Sequence, residues 1–318
     1  MKKIIFIMAA AALLPCFTAC SKKNKVSKSE GKIKVVATIF PLYDWSKNIC
    51  HGSDNIELEL LVKNGVDLHS YQPSAGDIIK ISTADVIIFA GGESDAWVKD
   101  AVRNSSNKNQ IVLNLIEKLG DSVKSEQIVE GMQKEKEEEA EEEKDEHIWL
   151  SLVNAKLCSQ EIAEAVSSKD ETNRQLYYKN LDSYIEQIDS VWASCVSKDR
   201  KMIVVCDRFP FRYMADELGI LYYAAFPGCS AETEASFETV AFLSGKIKEM
   251  GLNKVYVTES SDKKMAHTVI ENAGLSEKDC RILVLDSMQS TTLEQADNGK
   301  NYIDVMKKNF SLVAEANR

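Results

Sequence analysis

The chain has 318 residues, 44% of them hydrophobic, and its 49 acidic side chains outnumber 39 basic ones for a net charge of −10. That balance excludes nucleic-acid binding through a basic face. The length exceeds the usual size of one domain, so two lobes are the default expectation, and the hydrophobic content is enough for two cores.

Lys2 and Lys3 precede an apolar run over 4–14, which ends in Phe17-Thr18-Ala19-Cys20. This run is shorter than the ~20 residues that span a bilayer. It reads as a signal peptide over 1–19 rather than a membrane helix. Small residues just before a cysteine resemble a bacterial lipobox, which predicts cleavage before Cys20 and a lipid on its sulfur. Residues 20–31, with Ser21-Lys22-Lys23-Asn24-Lys25, then form a polar tether, and the mature net charge becomes −12. The expected location is extracytoplasmic and lipid-anchored to a bacterial membrane, facing a periplasm or the cell surface. Cys16 leaves with the leader. Cys50, Cys158, Cys195, Cys206, Cys229 and Cys280 remain, widely spaced and without a Cys-x-x-Cys pair. They read as disulfides or small core residues rather than ligands.

Short apolar strands are predicted at 35–38, 56–62, 86–90 and 111–115, with helical stretches such as 44–49 and 75–83 between them. Strands alternating with helices argue for parallel βαβ units, here in a first α/β lobe over 32–165. An acidic loop (132–146) interrupts it. Between Lys134 and Glu146 nine acids face three lysines, a run expected to stay solvated. Asp170 to Ser197 has no glycine or proline. Its apolar residues Leu176, Tyr177, Leu181, Tyr184, Ile185, Ile188, Val191 and Trp192 recur at helical spacing. This predicts a connecting helix over 166–198. A second series follows, with strands at 202–206, 221–226, 254–259 and 282–286 and helices at 211–218, 236–250, 263–273 and 302–316, making a second α/β lobe over 199–318.

In parallel α/β sheets ligands bind beyond the carboxyl ends of the strands. The metal-competent residues following predicted strand ends are His69, Asp207, Glu232, Glu234, Glu259 and Asp286, and His147 closes the acidic loop. Two imidazoles with carboxylates suit zinc or manganese, and the nitrogen favours zinc.

Three segments carry a resemblance: 35–48 (VVATIFPLYDWSKN), 65–85 (GVDLHSYQPSAGDIIKISTAD) and 145–155 (DEHIWLSLVNA). They resemble the metal-binding ABC substrate-binding proteins of zinc and manganese importers, closest to the zinc-uptake branch. The resemblance implies two lobes joined by one long helix, one M²⁺ bound between them as transported ligand, and an ABC permease with its ATPase as partners. It maps the first histidine, in an HSYxP run, to His69, the second to His147, and a late aspartate, in a D-S run, to Asp286. The third ligand, His in zinc branches and Glu in manganese branches, falls three residues before Phe211, on Arg208. A guanidinium has only donors and cannot ligate a cation. It can orient a carboxylate instead. The missing ligand is then expected from Asp207 first, or from Cys206, Glu232, Glu234, Glu259 or water.

The implied function is a monomeric receptor for zinc, not an enzyme. The alternatives are a manganese receptor of the same family, a metal-dependent hydrolase or a surface adhesin. No H-E-x-x-H motif occurs to favour the hydrolase.

Overall fold

The computed structural model describes residues 31–133, 143–195, 202–230 and 234–314. The expected leader, the lipidated Cys20 and its tether lie outside the described residues, as do 134–142 of the acidic run and Glu232. In the first lobe the order is β1 (Ile33–Ala37), α1 (Phe40–Ile49), β2 (Ile56–Leu60), α2 (Ala75–Thr83), β3 (Val86–Phe89), α3 (Trp97–Arg103), β4 (Ile111–Asn114) and α4 (Leu115–Leu119). Two longer helices follow, α5 (Leu152–Lys169) and α6 (Arg174–Cys195). The second lobe runs β5 (Met202–Phe209), α7 (Arg212–Leu218), β6 (Leu221–Pro227), α8 (Phe237–Met250), β7 (Lys254–Thr258), α9 (Lys264–Asn272) and β8 (Arg281–Leu285), closing with α10 (Leu293–Asp297) and α11 (Tyr302–Ala314).

Each lobe is built on a parallel four-stranded sheet, and the two share one strand order: β2-β1-β3-β4 and β6-β5-β7-β8. One inner strand of each sheet is buried throughout, Val86–Phe89 in the first and Lys254–Thr258 in the second. Helices on both faces of a parallel sheet require this. Local chemistry sets the element ends. Ser74 and Asp77 form a reciprocal capping box that starts α2, Ser151 caps α5, and Gly219 and Gly251 end α7 and α8 in the left-handed conformation. Asn114 caps α4 through its side chain, so the expected strand over 111–115 turns into a helix at its last residue.

Lys32–Arg318 form one compact unit. A single hydrophobic cluster runs from Val35 and Trp45 through Trp149 and the α6 residues Tyr177, Tyr184 and Ile188 to Val205, Phe211, Tyr302 and Phe310. Polar links cross the same seam. The Trp149 indole donates to the Ser287 carbonyl at 2.8 Å, the Tyr302 hydroxyl to the Trp149 carbonyl at 2.7 Å, and the Tyr302 N–H to Asp44 at 3.1 Å. The long helix α6 packs on α1 and α5 of the first lobe and on α11 of the second. Cys50, Cys158, Cys206 and Cys280 are buried free thiols and fill the cores as small apolar groups. Among the described residues no helix is long and apolar enough to cross a membrane.

Candidate functional site

The carboxyl ends of both sheets face one seam, and four loops meet there. The loop after β2 carries His69 on a single 3-10 turn (Leu68–Ser70), which Asp67 caps by accepting the His69 N–H at 3.0 Å. The loop after β3 carries Gly91, Gly92 and Ser94. The loop after β6 carries Gly228 and Cys229, and the turn after β8 carries Gln289. His147 enters from the end of the acidic run and is fully buried.

The two imidazoles face each other, with Nε2 atoms 3.2 Å apart. Carboxylates hold the far side of each ring. His147 Nδ1 lies 2.8 Å from Asp145, which also accepts the His147 N–H. His69 Nδ1 lies 2.6 Å from the Ser94 hydroxyl and 3.1 Å from Glu146. Ser94 in turn donates its hydroxyl and N–H to Glu146. In their neutral form, with Nδ1 hydrogens committed to these acceptors, the rings turn both Nε2 lone pairs toward the same point. The Gln289 amide nitrogen stands there, 2.8 Å from each Nε2. Its two hydrogens match the two lone pairs, and the Gln289 amide oxygen accepts from Ser287 at 3.0 Å.

Burial would push the Glu146 carboxyl up, but the hydrogen bond and charge of His69, then His147 and Ser94, hold it at about 2. Burial likewise works against the charged form of His147, yet Asp145 and Glu146 raise it above the ordinary imidazole range. Asp145 and Glu146 are therefore not part of a solvated run. They are 3% and 1% exposed, and they anchor the rings. Glycines make room for them. A Cβ on Gly92 would stand 1.9 Å from Glu146 Oε2, and one on Gly228 would stand 2.9 Å from His147 Cε1.

One potential ligand atom each from His69, His147 and Cys229 lies within 4.8 Å of the others. Of the described residues expected from the sequence, the structure thus brings His69 and His147 together, while Asp207, Asp286 and Glu259 make other bonds. Asp207 accepts from the Arg208 N–H and from the N–H and hydroxyl of Thr258. Asp286 pairs with Lys300 at 2.7 Å and accepts the Met288 N–H. That last bond steadies a left-handed Met288 (φ 64°), an uncommon conformation off glycine, and so sets the turn that aims Gln289. Glu259 accepts both the N–H and hydroxyl of Ser287, while burial and then Asp286 raise its carboxyl. Cys206 faces the core and is 1% exposed, and Glu234 is exposed. Arg208 donates to Asp67 at 2.9 Å, so the guanidinium orients the carboxylate that caps the His69 turn.

The family model for the periplasmic component A of the zinc-uptake complex, ZnuA, matches residues 35–316. The chain belongs to this family. Among curated ZnuA-type relatives, the zinc-binding lipoprotein AdcA of Streptococcus pneumoniae is 28% identical over 99% of this chain, which spans 61% of AdcA's length. The high-affinity zinc uptake system protein ZnuA of Bacillus subtilis is 27% identical over 98% of this chain and 96% of its own length. The crystal structure of the Zn(II)-bound ZnuA-like domain of S. pneumoniae AdcA superposes with a TM-score of 0.69 at 27% identity, covering 90% of this chain and 98% of that one.

The residues missed in the sequence were Glu146, Ser94, Cys229 and Gln289. Gly91-Gly92 after a strand was a usable sign of close approach, and so was Pro227-Gly228-Cys229 at the end of β6. Nothing in the local sequence singled out Gln289.

Proposed function

We propose that this protein is an extracytoplasmic receptor that takes up a divalent transition metal, zinc foremost, between its lobes and delivers it to an ABC permease and its ATPase. The observation that carries the reading is the pair of Nε2 atoms 3.2 Å apart, each on a ring fixed from behind by a carboxylate. Such backing is the usual support of a metal-binding histidine. The cation is substrate here. His69 and His147 are its ligands, and imidazole donors favour zinc over manganese. Asp286 and Asp207 contribute indirectly, the first through the Gln289 turn and the second through the end of β5. The zinc named in the relatives AdcA and ZnuA supports the same choice. A receptor needs no open coordination site or general base, and the acids nearest the histidines are spent on orienting them, so the reading is not of an enzyme. The lipobox at 17–20 supports anchoring through Cys20.

The test uses protein extracted from membranes with detergent, whose intact mass reports the lipid on Cys20. Zinc titration by calorimetry is expected to give one site per chain. His69→Ala and His147→Ala are each expected to weaken it by more than the ~10–100-fold that loss of a supporting residue costs. Unchanged affinity in both variants would sink the assignment.

A further inference from the structure

We propose that Cys229 binds the transported cation through its sulfur, alongside His69 and His147, giving a softer nitrogen–sulfur donor set. This rests on the receptor reading above.

The two imidazoles lack a charge to balance a cation. A pair of neutral rings leaves a dication uncompensated, and the acids around them are committed. Glu146 is held by Ser94 and by the back of His69, and Asp145 by His147. Asp207, Asp286 and Glu259 bond to backbone, hydroxyl or lysine groups, and Arg208 brings no lone pair. Among the described residues Cys229 also lies near both rings and can become an anion, its thiol donating to Glu146 at 3.9 Å. Its place is built. The Cys229 N–H donates to Glu126 at 3.0 Å, and Gly228 lets the loop lie against the His147 ring, where a side chain would collide.

The dimensions agree. Zinc bonds nitrogen at ~2.0–2.1 Å and sulfur at ~2.3 Å in tetrahedral sites, which puts neighbouring ligand atoms roughly 3.3–3.7 Å apart. The Nε2 atoms are already 3.2 Å apart, and the whole trio lies within 4.8 Å, so closing on a cation takes a shift of about 1 Å. The Gln289 amide marks where the cation enters, because it meets both Nε2 lone pairs at once. A cysteine thiol at neutral pH carries its proton until metal arrives. Binding then forms one metal–sulfur bond, breaks the S–H bond and releases one proton to solvent, with no change in oxidation state.

Thiolate ligands select zinc and other soft cations and disfavour manganese. Cobalt(II) reads the site directly, because a cobalt–thiolate bond produces a near-ultraviolet charge-transfer band that nitrogen and oxygen ligands do not. The experiment adds cobalt(II) to the purified unmodified protein and to Cys229→Ser. The expected result is stoichiometric cobalt with the band in the unmodified protein, and loss of the band in the variant. The variant should also bind zinc at least ~100-fold more weakly, beyond the cost of a supporting residue. Stoichiometric cobalt without the band overturns the role of Cys229 and leaves the receptor reading standing. A band that survives in Cys229→Ser comes from another thiol and also overturns it. Failure of the unmodified protein to bind either metal overturns both. The unmodified protein's spectrum decides the question even if the variant misfolds.

Discussion

Arg208 cannot ligate a cation, yet it steadies the turn that carries the proposed ligand His69. At the position where the family resemblance puts a third ligand, its guanidinium instead donates to Asp67, whose other oxygen holds the N–H of His69. The pair is mostly buried, with side chains 19% and 17% exposed, so it is not a freely screened surface ion pair. Arg208→Ala is expected to weaken zinc binding by about 10–100-fold while leaving one site per chain, the behaviour of an orienting residue. Competition with a fluorescent chelator would measure it, and a loss of stoichiometry would refute the orienting role. The two histidines were legible in the sequence because they stand in distinctive local runs. Cys229 and Gln289 were not, because their meaning depends on where β6 and β8 end in space. Asp286 was expected as a ligand from the family resemblance and Asp207 from its place beside Arg208; neither ground tells which way a carboxylate turns, and here Asp286 pairs with Lys300 while Asp207 accepts from Thr258.

At the scale of elements, the seam between α1, α6 and α11 holds a buried acid. Asp44 is 4% exposed and accepts from the Tyr302 N–H at the start of α11 and, at 3.5 Å, from the Tyr184 hydroxyl of α6. Burial raises its carboxyl to about 6, with the Tyr302 bond opposing that rise. A folded value above the ~3.9 of an unfolded aspartate means that the acid form is the one the fold prefers. Its stabilising contribution is complete below about pH 4 and is lost as pH rises through about 6, an effect of about 3 kcal/mol. Asp44→Asn keeps an acceptor for Tyr302 and removes the titration. The variant's Tm relative to the unmodified protein should therefore be higher at pH 8 than at pH 5; an equal difference at both values would exclude this linkage. Element order was readable from apolar periodicity, and the strands fell where the patterns put them. The short helices α3, α4 and α10 escaped, and so did the 18-residue α5, which buries small and polar residues such as Ala155, Ser159 and Ser167 and so carries little apolar periodicity. The connecting helix expected over 166–198 divides into the end of α5, a 3-10 turn at Glu171–Asn173 and α6 from Arg174.

At the scale of the whole molecule, the two lobes share one large hydrophobic cluster, while each also keeps a smaller cluster of its own. Trp45 stacks edge-on against Tyr302 with centroids 5.3 Å apart, and separating the lobes would expose both. The expected outcome is one cooperative unfolding transition, with calorimetric and van't Hoff enthalpies equal, and a midpoint that rises with zinc concentration. Two resolved transitions in the metal-free protein would mean that the lobes unfold independently. The shared cluster also leaves little room for wide opening, so in the proposed receptor exchange of a cation would fall to the loops at the seam.

The common strand order gives that seam a particular mechanical character. β2 and β6 occupy equivalent places in the two sheets, and the loops that follow them carry His69 and Cys229. The two side chains are thus near-symmetric jaws, one borne by each sheet. A slight twist of one sheet against the other therefore changes the distance between these two side chains directly. Metal–ligand distances tolerate only a few tenths of an ångström, so in the proposed receptor very little travel of either lobe would loosen the grip on a cation.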